Sequence, residues 1–420
     1  MAKKATPMTP NIKIKKFTLN FYWAIALLGA IVLIAFGILP FKEFWQGLNA
    51  KTGINPIQIL ILFISMTIIS IFLDELGFFD HAANWVITHT KAKQTSLFFS
   101  LYALVSILTM FTSNDIVILT LTPFIIFFCK SAKISPLPFL VGEFTAANTW
   151  SMMFVIGNPT NIYLASSYNI DFVSYLKAMW LPTLLSGVVE LLIIFLTFRK
   201  SLKAPMEYNQ TELPKEDIPL TIIGLIGLAT CTLFLIISSY ISLPMYLVAA
   251  CSLLTLILAV IICCLLRKHS LKELNKSILR APFELIPFVI SMFALVLALN
   301  KYGITTKICE FFGTDYTVFK YGYSSLLSAN LLNNIPMSVI YSSILSGLEG
   351  NALQGGIFAS IAGSNIGAFI TPVGALAGIM WMNILKTHEV KFSFVDFMKY
   401  GVLIGLPTIT VTLVTLFFII

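Results

Sequence analysis

Apolar stretches long enough to cross a bilayer recur near residues 21–39, 56–73, 179–197, 219–237, 244–266, 282–299 and 400–419, and each predicts an uninterrupted transmembrane helix. Four further stretches are apolar overall but punctuated by polar residues, Gly or Pro: 94–129, 137–164, 321–347 and 352–385. We read 94–129 and 321–347 as re-entrant hairpins that dip into the membrane and return, and 137–164 and 352–385 as single crossings by broken helices. Polar backbone at membrane depth is tolerated only inside protein or beside a cavity, so function is expected in these four segments.

Hydrophobic residues make up 58% of the 420-residue chain and charged residues 11%, against roughly half and a quarter in soluble domains, which argues against a soluble enzyme. The lipid bilayer is therefore the first partner. A net charge of +8 would suggest nucleic acid in a soluble chain, but here the basic residues sit in the connections and report topology. With the segments as read above, 21 Lys and Arg lie on one side (1–20, 74–93, 130–136, 198–218, 267–281 and 386–399) and six on the other. That places the N-terminus in the cytoplasm and the C-terminus outside, in a multi-pass protein of the plasma membrane. Two full crossings by 94–129 would leave the sides unchanged. Residues 1–20 hold five lysines and precede an apolar run with no small-residue cleavage site, so they read as a cytoplasmic tail before a retained first span.

The punctuated segments match in pairs. Asn114-Asp115 is followed by Asn148 and then Gly157-Asn158-Pro159, and Asn333-Asn334 is followed by Asn365 and then Gly374. The interval from Asn148 to Gly157 equals that from Asn365 to Gly374, nine residues, at an offset between halves of 217 to 219. By the charge count the first hairpin's ends lie inside and the second's outside, so the copies are inverted. The fold class expected is an all-α polytopic membrane protein, an inverted-repeat secondary transporter with two re-entrant hairpins and two broken helices. Its first repeat would span 21–197, followed by a cytoplasmic linker at 198–218, an extra crossing at 219–237 that inverts the second copy, and a second repeat at 244–420.

An apolar run stops at Ser113-Asn114-Asp115 and another starts, so these short side-chain oxygens are placed to cap a half-helix. Asn333-Asn334-Ile335-Pro336 has the same logic, with Pro336 in a first turn where its missing N–H costs nothing. Capping alone would explain the asparagines but not Asp115, because a carboxylate at membrane depth costs about 2.5–3.5 kcal/mol on insertion scales. Asp115 is expected to bind a coupling cation or carry a proton. Downstream of Asn148-Thr149, Pro159 in Gly157-Asn158-Pro159-Thr160-Asn161 removes a backbone donor, and the helix should unwind there. Thr371-Pro372-Val373-Gly374, preceded by Gly363-Ser364-Asn365, is the mirror site. Unwound carbonyls ligate small cations, and half-helix N-termini attract anions or polar neutral solutes.

No Lys or Arg lies in these membrane segments, which favours a neutral or weakly charged solute. Glu190, mid-span, is a second proton-carrier candidate; Glu284 reads as snorkelling to the interface, and Glu143 as intermediate. His81, His89, His269 and His388 fall in loops, HExxH is absent, and the six cysteines show no CxxC spacing, so no metal, disulfide framework or cofactor is indicated. The sequon Asn209-Gln210-Thr211 lies on the cytoplasmic side by the charge count. No GxxxxGK[ST] occurs, so any ATP drive would come from a separate ATPase subunit; association as a homodimer is left open.

These residues resemble the arsenite-efflux permease family of the ion transporter superfamily, which also holds sodium/proton antiporters and sodium-coupled carboxylate carriers. The likeness runs from about residue 56 and is strongest in Ser113-Asn114-Asp115 through Pro123, Asn148 to Asn161, Asn330 to Pro336, and Gly363 to Trp381. It implies two hairpins and two broken helices forming a mobile transport unit, and arsenite or antimonite exchanged, as neutral hydroxides, for protons. The chain departs from the family pattern at Ser364-Asn365 and Ala368-Phe369-Ile370, where an acidic residue and a lysine are typical. The expectation is a secondary transporter of a small oxyanion or metalloid hydroxide, with the proton as coupling ion. The rivals are a sodium-coupled symporter of carboxylates or sulfate and a sodium/proton antiporter.

Overall fold

A computed structural model describes residues 22–49, 55–90, 93–207 and 216–420; the basic segment 1–20 and the Asn209 sequon lie outside the described residues. Helices α1 (Tyr22–Ala35), α2 (Phe41–Leu48), α3 (Pro56–Glu75) and α4 (Phe78–His89) lead into α5 (Gln94–Phe111), α6 (Asn114–Ser131), α7 (Leu137–Trp150), α8 (Pro159–Ser167) and α9 (Phe172–Phe198). The chain continues through α10 (Ile218–Ile241), α11 (Met245–Arg267), α12 (Lys272–Leu279), α13 (Leu285–Lys301) and α14 (Ile304–Phe312). It ends with α15 (Thr317–Leu332), α16 (Asn334–Ile344), α17 (Gly350–Gly367), α18 (Leu376–Thr387) and α19 (Phe394–Ile419). Among the described residues no strand occurs and seven helices are long and apolar enough to cross a membrane: α3, α5, α6, α9, α10, α11 and α19. The chain is an all-helical, polytopic membrane protein.

Local chemistry sets the boundaries. Asn55 accepts from the amides of Ile57 and Gln58 with Pro56 in the first turn, and Asp171 accepts from those of Val173 and Ser174. The second cap starts α9 at residue 172, a full turn and more before the apolar run at 179. A capping box between Ser393 and Asp396 likewise starts α19 before 400. His81 and His89, expected in a loop, lie in α4. Phe79, Ala83, Val86 and Ile87 give that short segment a buried helical stripe, and a stripe of this period folds as a helix even when too short to span.

The broken helices are interrupted at corresponding points. α7 ends at Trp150 and α17 at Gly367; single 3₁₀ turns follow at Val155–Gly157 and Pro372–Gly374; α8 begins at Pro159 and α18 at Leu376. Every pair is 217 residues apart. α7 is buried without a gap from Pro138 to Thr149 and α17 from Gly355 to Gly367, which puts both at the centre. Around them α9, α10, α11 and α19 turn leucine and isoleucine pairs outward, such as Leu192 and Leu196, Ile222 and Ile226, and Leu254 and Leu258. Such faces suit lipid, which is as apolar as the side chains themselves. The first hairpin's arms, α5 and α6, have 18 residues each, about 27 Å of helix, whereas α15 and α16 have 16 and 11.

α17 packs on α15 through small residues. A methyl group on Gly363 would collide with the Gly322 carbonyl and the Ser325 hydroxyl. Because a helix backbone cannot yield as a side chain does, Gly363→Ala should cost at least the roughly 1–3 kcal/mol of ordinary overpacking. The expected result is little monodisperse protein in size-exclusion chromatography; a wild-type yield and melting temperature would contradict this packing.

Candidate functional site

The interruption of the first broken helix is held by its own asparagines. Asn158 Oδ1 accepts from the Thr160 amide and hydroxyl, both at 3.0 Å, capping α8 with Pro159 in its first turn. Asn161 Nδ2 donates to the carbonyls of Ser151 (2.8 Å) and Phe154 (3.3 Å), groups that the unwinding frees. Gly157 is required because a Cβ there would strike the Ser151 backbone.

Asn365 of α17 joins this loop to the other half of the chain. Its Oδ1 accepts from Ser151 Oγ (2.9 Å) and Asn158 Nδ2 (2.8 Å), and its Nδ2 donates to Asn161 Oδ1 (2.7 Å) and the Ile361 carbonyl (2.8 Å). All four side chains are essentially inaccessible. Asn148, the residue 217 positions before Asn365, turns instead to the first hairpin and accepts from Asn114 Nδ2 at 3.1 Å. In the second half, Asn330 Oδ1 accepts from the Thr371 amide (2.9 Å) and hydroxyl (2.7 Å), while its Nδ2 reaches the Gly367 carbonyl (3.0 Å). Asn333 Nδ2 donates to the Val373 carbonyl (3.2 Å) beside Pro372 and Gly374.

Capping follows the sequence reading at one hairpin and departs from it at the other. Asn333 Oδ1 accepts from the Ile335 amide of α16, with Pro336 within the first turns. Ser113 makes no such bond to α6, and Asn114 is spent on Asn148. The reason is competition: Asn114 is the first helical residue, so its side chain leans away from its own free amides and toward α7. The Ser113 side chain lines a water-sized cavity of about 10 Å³ with Thr67, Ser70, Thr112 and Pro159. α18, which follows Ala375, also starts without a side-chain cap.

Two predicted residues carry buried oxygens with no partner among the described residues, Asn114 Oδ1 and Ser364 Oγ. Buried polar atoms are nearly always satisfied, so each calls for an explanation. Asp115 is half-buried in the first turn of α6 and does not join the network. Glu190 is fully buried on α9: Oε2 accepts from the Thr149 hydroxyl, and Oε1 lies 3.0 Å from Tyr102 Oη. Tyr102 in turn lies 2.9 Å from the Gly187 carbonyl and accepts from Trp150 Nε1 at 3.2 Å. Among the described residues no Lys, Arg or His joins these bonds. Sequence reasoning passed over Ser151, Asn330 and Tyr102. Asn330 opens a motif that was singled out, whereas a tyrosine or serine inside an apolar run gives no signal of its own.

A larger cavity, about 530 Å³, shares no residue with this network. It lies where α3 ends and α10 begins, and Asp80, His81, Asp217, Arg267 and Glu273 line it. Burial, reinforced by Asp74, raises the Asp80 carboxyl to about 6. Burial acts in the same direction on Asp217, but hydrogen bonds from Arg267 and the Leu220 amide hold it below the usual carboxylate range. These are ion pairs at a helix end, not part of the buried centre.

A family model described as citrate transporter matches residues 21–363. The arsenical pump membrane protein of Escherichia coli is 24% identical over 95% of this chain and 93% of its own length. Its counterpart in Yersinia enterocolitica is 25% identical over 84% of both. The fold is similar to that of the YdaH transporter of Alcanivorax borkumensis, whose crystal structure is described as having an unusual topology. The TM-score is 0.59 at 13% identity, covering 94% of this chain and 96% of that one.

Proposed function

The chain belongs to the citrate transporter family, and from this premise we propose that it exports a small neutral metalloid hydroxide of the arsenite and antimonite kind in exchange for protons. The observation that carries the reading is the chemistry of the buried network. It offers asparagine and serine groups from both halves and, among the described residues, no cationic side chain; Asn114 and Ser364 add buried oxygens with no partner among those residues. A trivalent carboxylate would bring its charge into a site with no cationic side chain among the described residues to oppose it, at the high cost of burying an unpaired ion. A neutral trihydroxide brings only donors and acceptors, which Asn114, Asn148, Ser364 and Asn365 match. The proposed site adds Ser113, Thr149, Asn158, Pro159, Thr160 and Asn161 from the first repeat and Asn333, Asn334, Pro336, Thr371, Pro372 and Gly374 from the second. The uncapped starts of α6 and α18 supply further amides.

In this reading Glu190 carries the proton. A carboxylate at this depth is expensive to keep charged, and Tyr102 and Thr149 hold it in one position. Asp115 is the second candidate. The relatives named as arsenical pump membrane proteins support the substrate class, and the charge count supports a cytoplasmic N-terminus.

The test is arsenite flux into or out of proteoliposomes under an imposed proton gradient, an imposed sodium gradient, or neither. Arsenite movement that follows the proton gradient is the expected outcome. Sodium-dependent uptake of citrate or sulfate without arsenite movement would instead assign the symporter chemistry to this scaffold.

A further inference from the structure

Glu143 is a second fully buried carboxylate, 2% exposed, in the middle of α7. Its Oε1 and Oε2 accept from the Thr122 hydroxyl of α6 at 2.8 and 3.1 Å, and Oε2 accepts from Trp381 Nε1 of α18 at 3.4 Å. Neither partner titrates or carries charge. A glutamine would accept the same two hydrogen bonds without the cost of a carboxylate at membrane depth, so anchoring three helices does not by itself explain an acid here.

The surroundings supply what anchoring lacks. A cavity of about 10 Å³, close to the room one water needs, is bounded by both Glu143 and Tyr102 and otherwise walled by Gly142 and by apolar side chains of α5 and α7. Tyr102 Oη has two acceptors for its single proton, the Gly187 carbonyl and Glu190 Oε1. The titratable groups facing Glu143 are therefore Tyr102 from α5 and, beyond it, Glu190 from α9. Glu143 lies six positions before Thr149, which holds Glu190, on α7. At the helical rise this is about 9 Å, in the direction of residues 130–136, the cytoplasmic end by the charge count.

We propose that Glu143 is the proton-exchange carboxylate on the cytoplasmic side of Glu190, reached through the Tyr102 hydroxyl and one water in the intervening cavity. The proposal rests on the proton-coupled reading above. In one transfer, the Glu190 O–H bond breaks as the Tyr102 oxygen takes its proton. The Tyr102 proton passes to the water, and the water gives a proton to a Glu143 oxygen. Tyr102 and the water end as they began, Glu190 is left as the carboxylate and Glu143 as the acid. Concentrating the proton on Glu143 puts its charge change at the contact of α6, α7 and α18, where both halves of the chain meet.

The experiment compares the full-length protein with Glu143→Gln, Glu143→Asp and Tyr102→Phe in proteoliposomes. It records proton-driven net arsenite flux, internal pH, and arsenite counterflow, which needs no net proton turnover. For Glu143→Gln the ratio of net flux to counterflow should fall about a hundredfold, the low end of what a positioned acid–base group contributes. Glu143→Asp should restore part of it with a shifted pH profile, and Tyr102→Phe should lower the ratio as well. An unchanged ratio in Glu143→Gln, or net flux and counterflow falling together in folded protein, would overturn the proposal. If Glu143→Gln yields no monodisperse protein, a wild-type ratio in Tyr102→Phe overturns it equally. Absence of proton-coupled arsenite flux in the unmodified protein would remove the coupling reading itself, and is distinguished by that control.

Discussion

Asn365→Ala should lower the stability of the detergent-solubilised protein by about 3 kcal/mol and abolish net transport. The truncation leaves Ser151 Oγ, Asn158 Nδ2 and Asn161 Oδ1 without the partner each has on Asn365. An orphaned buried group costs about 1–3 kcal/mol in water-soluble proteins, and intramembrane hydrogen bonds average about 0.6 and reach about 1.7. Ser151 Oγ keeps the Asn148 carbonyl at 2.7 Å, so the loss is two orphaned groups, Asn158 Nδ2 and Asn161 Oδ1, and one further bond in a mutually polarised cluster, which brings the expectation to the stated size. Serine at 365 would not rescue it, since one hydroxyl cannot replace two acceptor and two donor bonds. The check is thermal unfolding in parallel with arsenite flux. A melting temperature and flux equal to those of the unmodified protein would mean that the two halves are held together elsewhere.

Glu190→Gln should leave the fold intact and uncouple transport, lowering proton-driven flux by roughly a hundredfold and flattening its dependence on pH. The amide keeps an oxygen for Tyr102 and can donate to the Thr149 hydroxyl, so the packing of α5, α7 and α9 has little to lose. What the amide cannot do is release a proton. Internal pH recorded during arsenite flux separates this from a folding defect, because a misfolded variant would also lose counterflow. Asp115→Asn serves as the comparison: Asp115 stands outside the network, so with Glu190 as the carrier its replacement should change coupling far less. If the two variants behaved the other way round, the carrier would be Asp115.

The positions of the long helices were legible along the chain to within about two turns, but α1 and α13, read as full crossings, have only 14 and 17 residues. The breaks at 112–113, 151–158, 333 and 368–375 fall inside the four segments marked by Asn, Gly and Pro. These residues act locally: proline removes an amide, asparagine caps, and glycine admits a close neighbour, so their effect is written where they stand. The short helices α2, α4, α12 and α14 were not anticipated, because an amphipathic stripe of two or three turns is hidden between longer apolar runs. Asn365 stands out by its spacing and Asn158 and Asn161 as polar neighbours of Pro159, and the three meet. Asp115 was chosen for its charge and stands apart.

That this protein lives in the membrane, where its helices break, and which residue types stand at the breaks are written along the chain, because hydropathy and backbone chemistry are local properties. Packing alone brings Asn365 to Ser151, Asn158 and Asn161 across more than two hundred residues, Tyr102 to Glu190, and Glu143 among Thr122, Tyr102 and Trp381. Those pairings follow from how α5, α7, α9 and α17 cross. Crossing is set by the small residues that let helices approach, and that pattern does not name in advance which polar groups will come face to face.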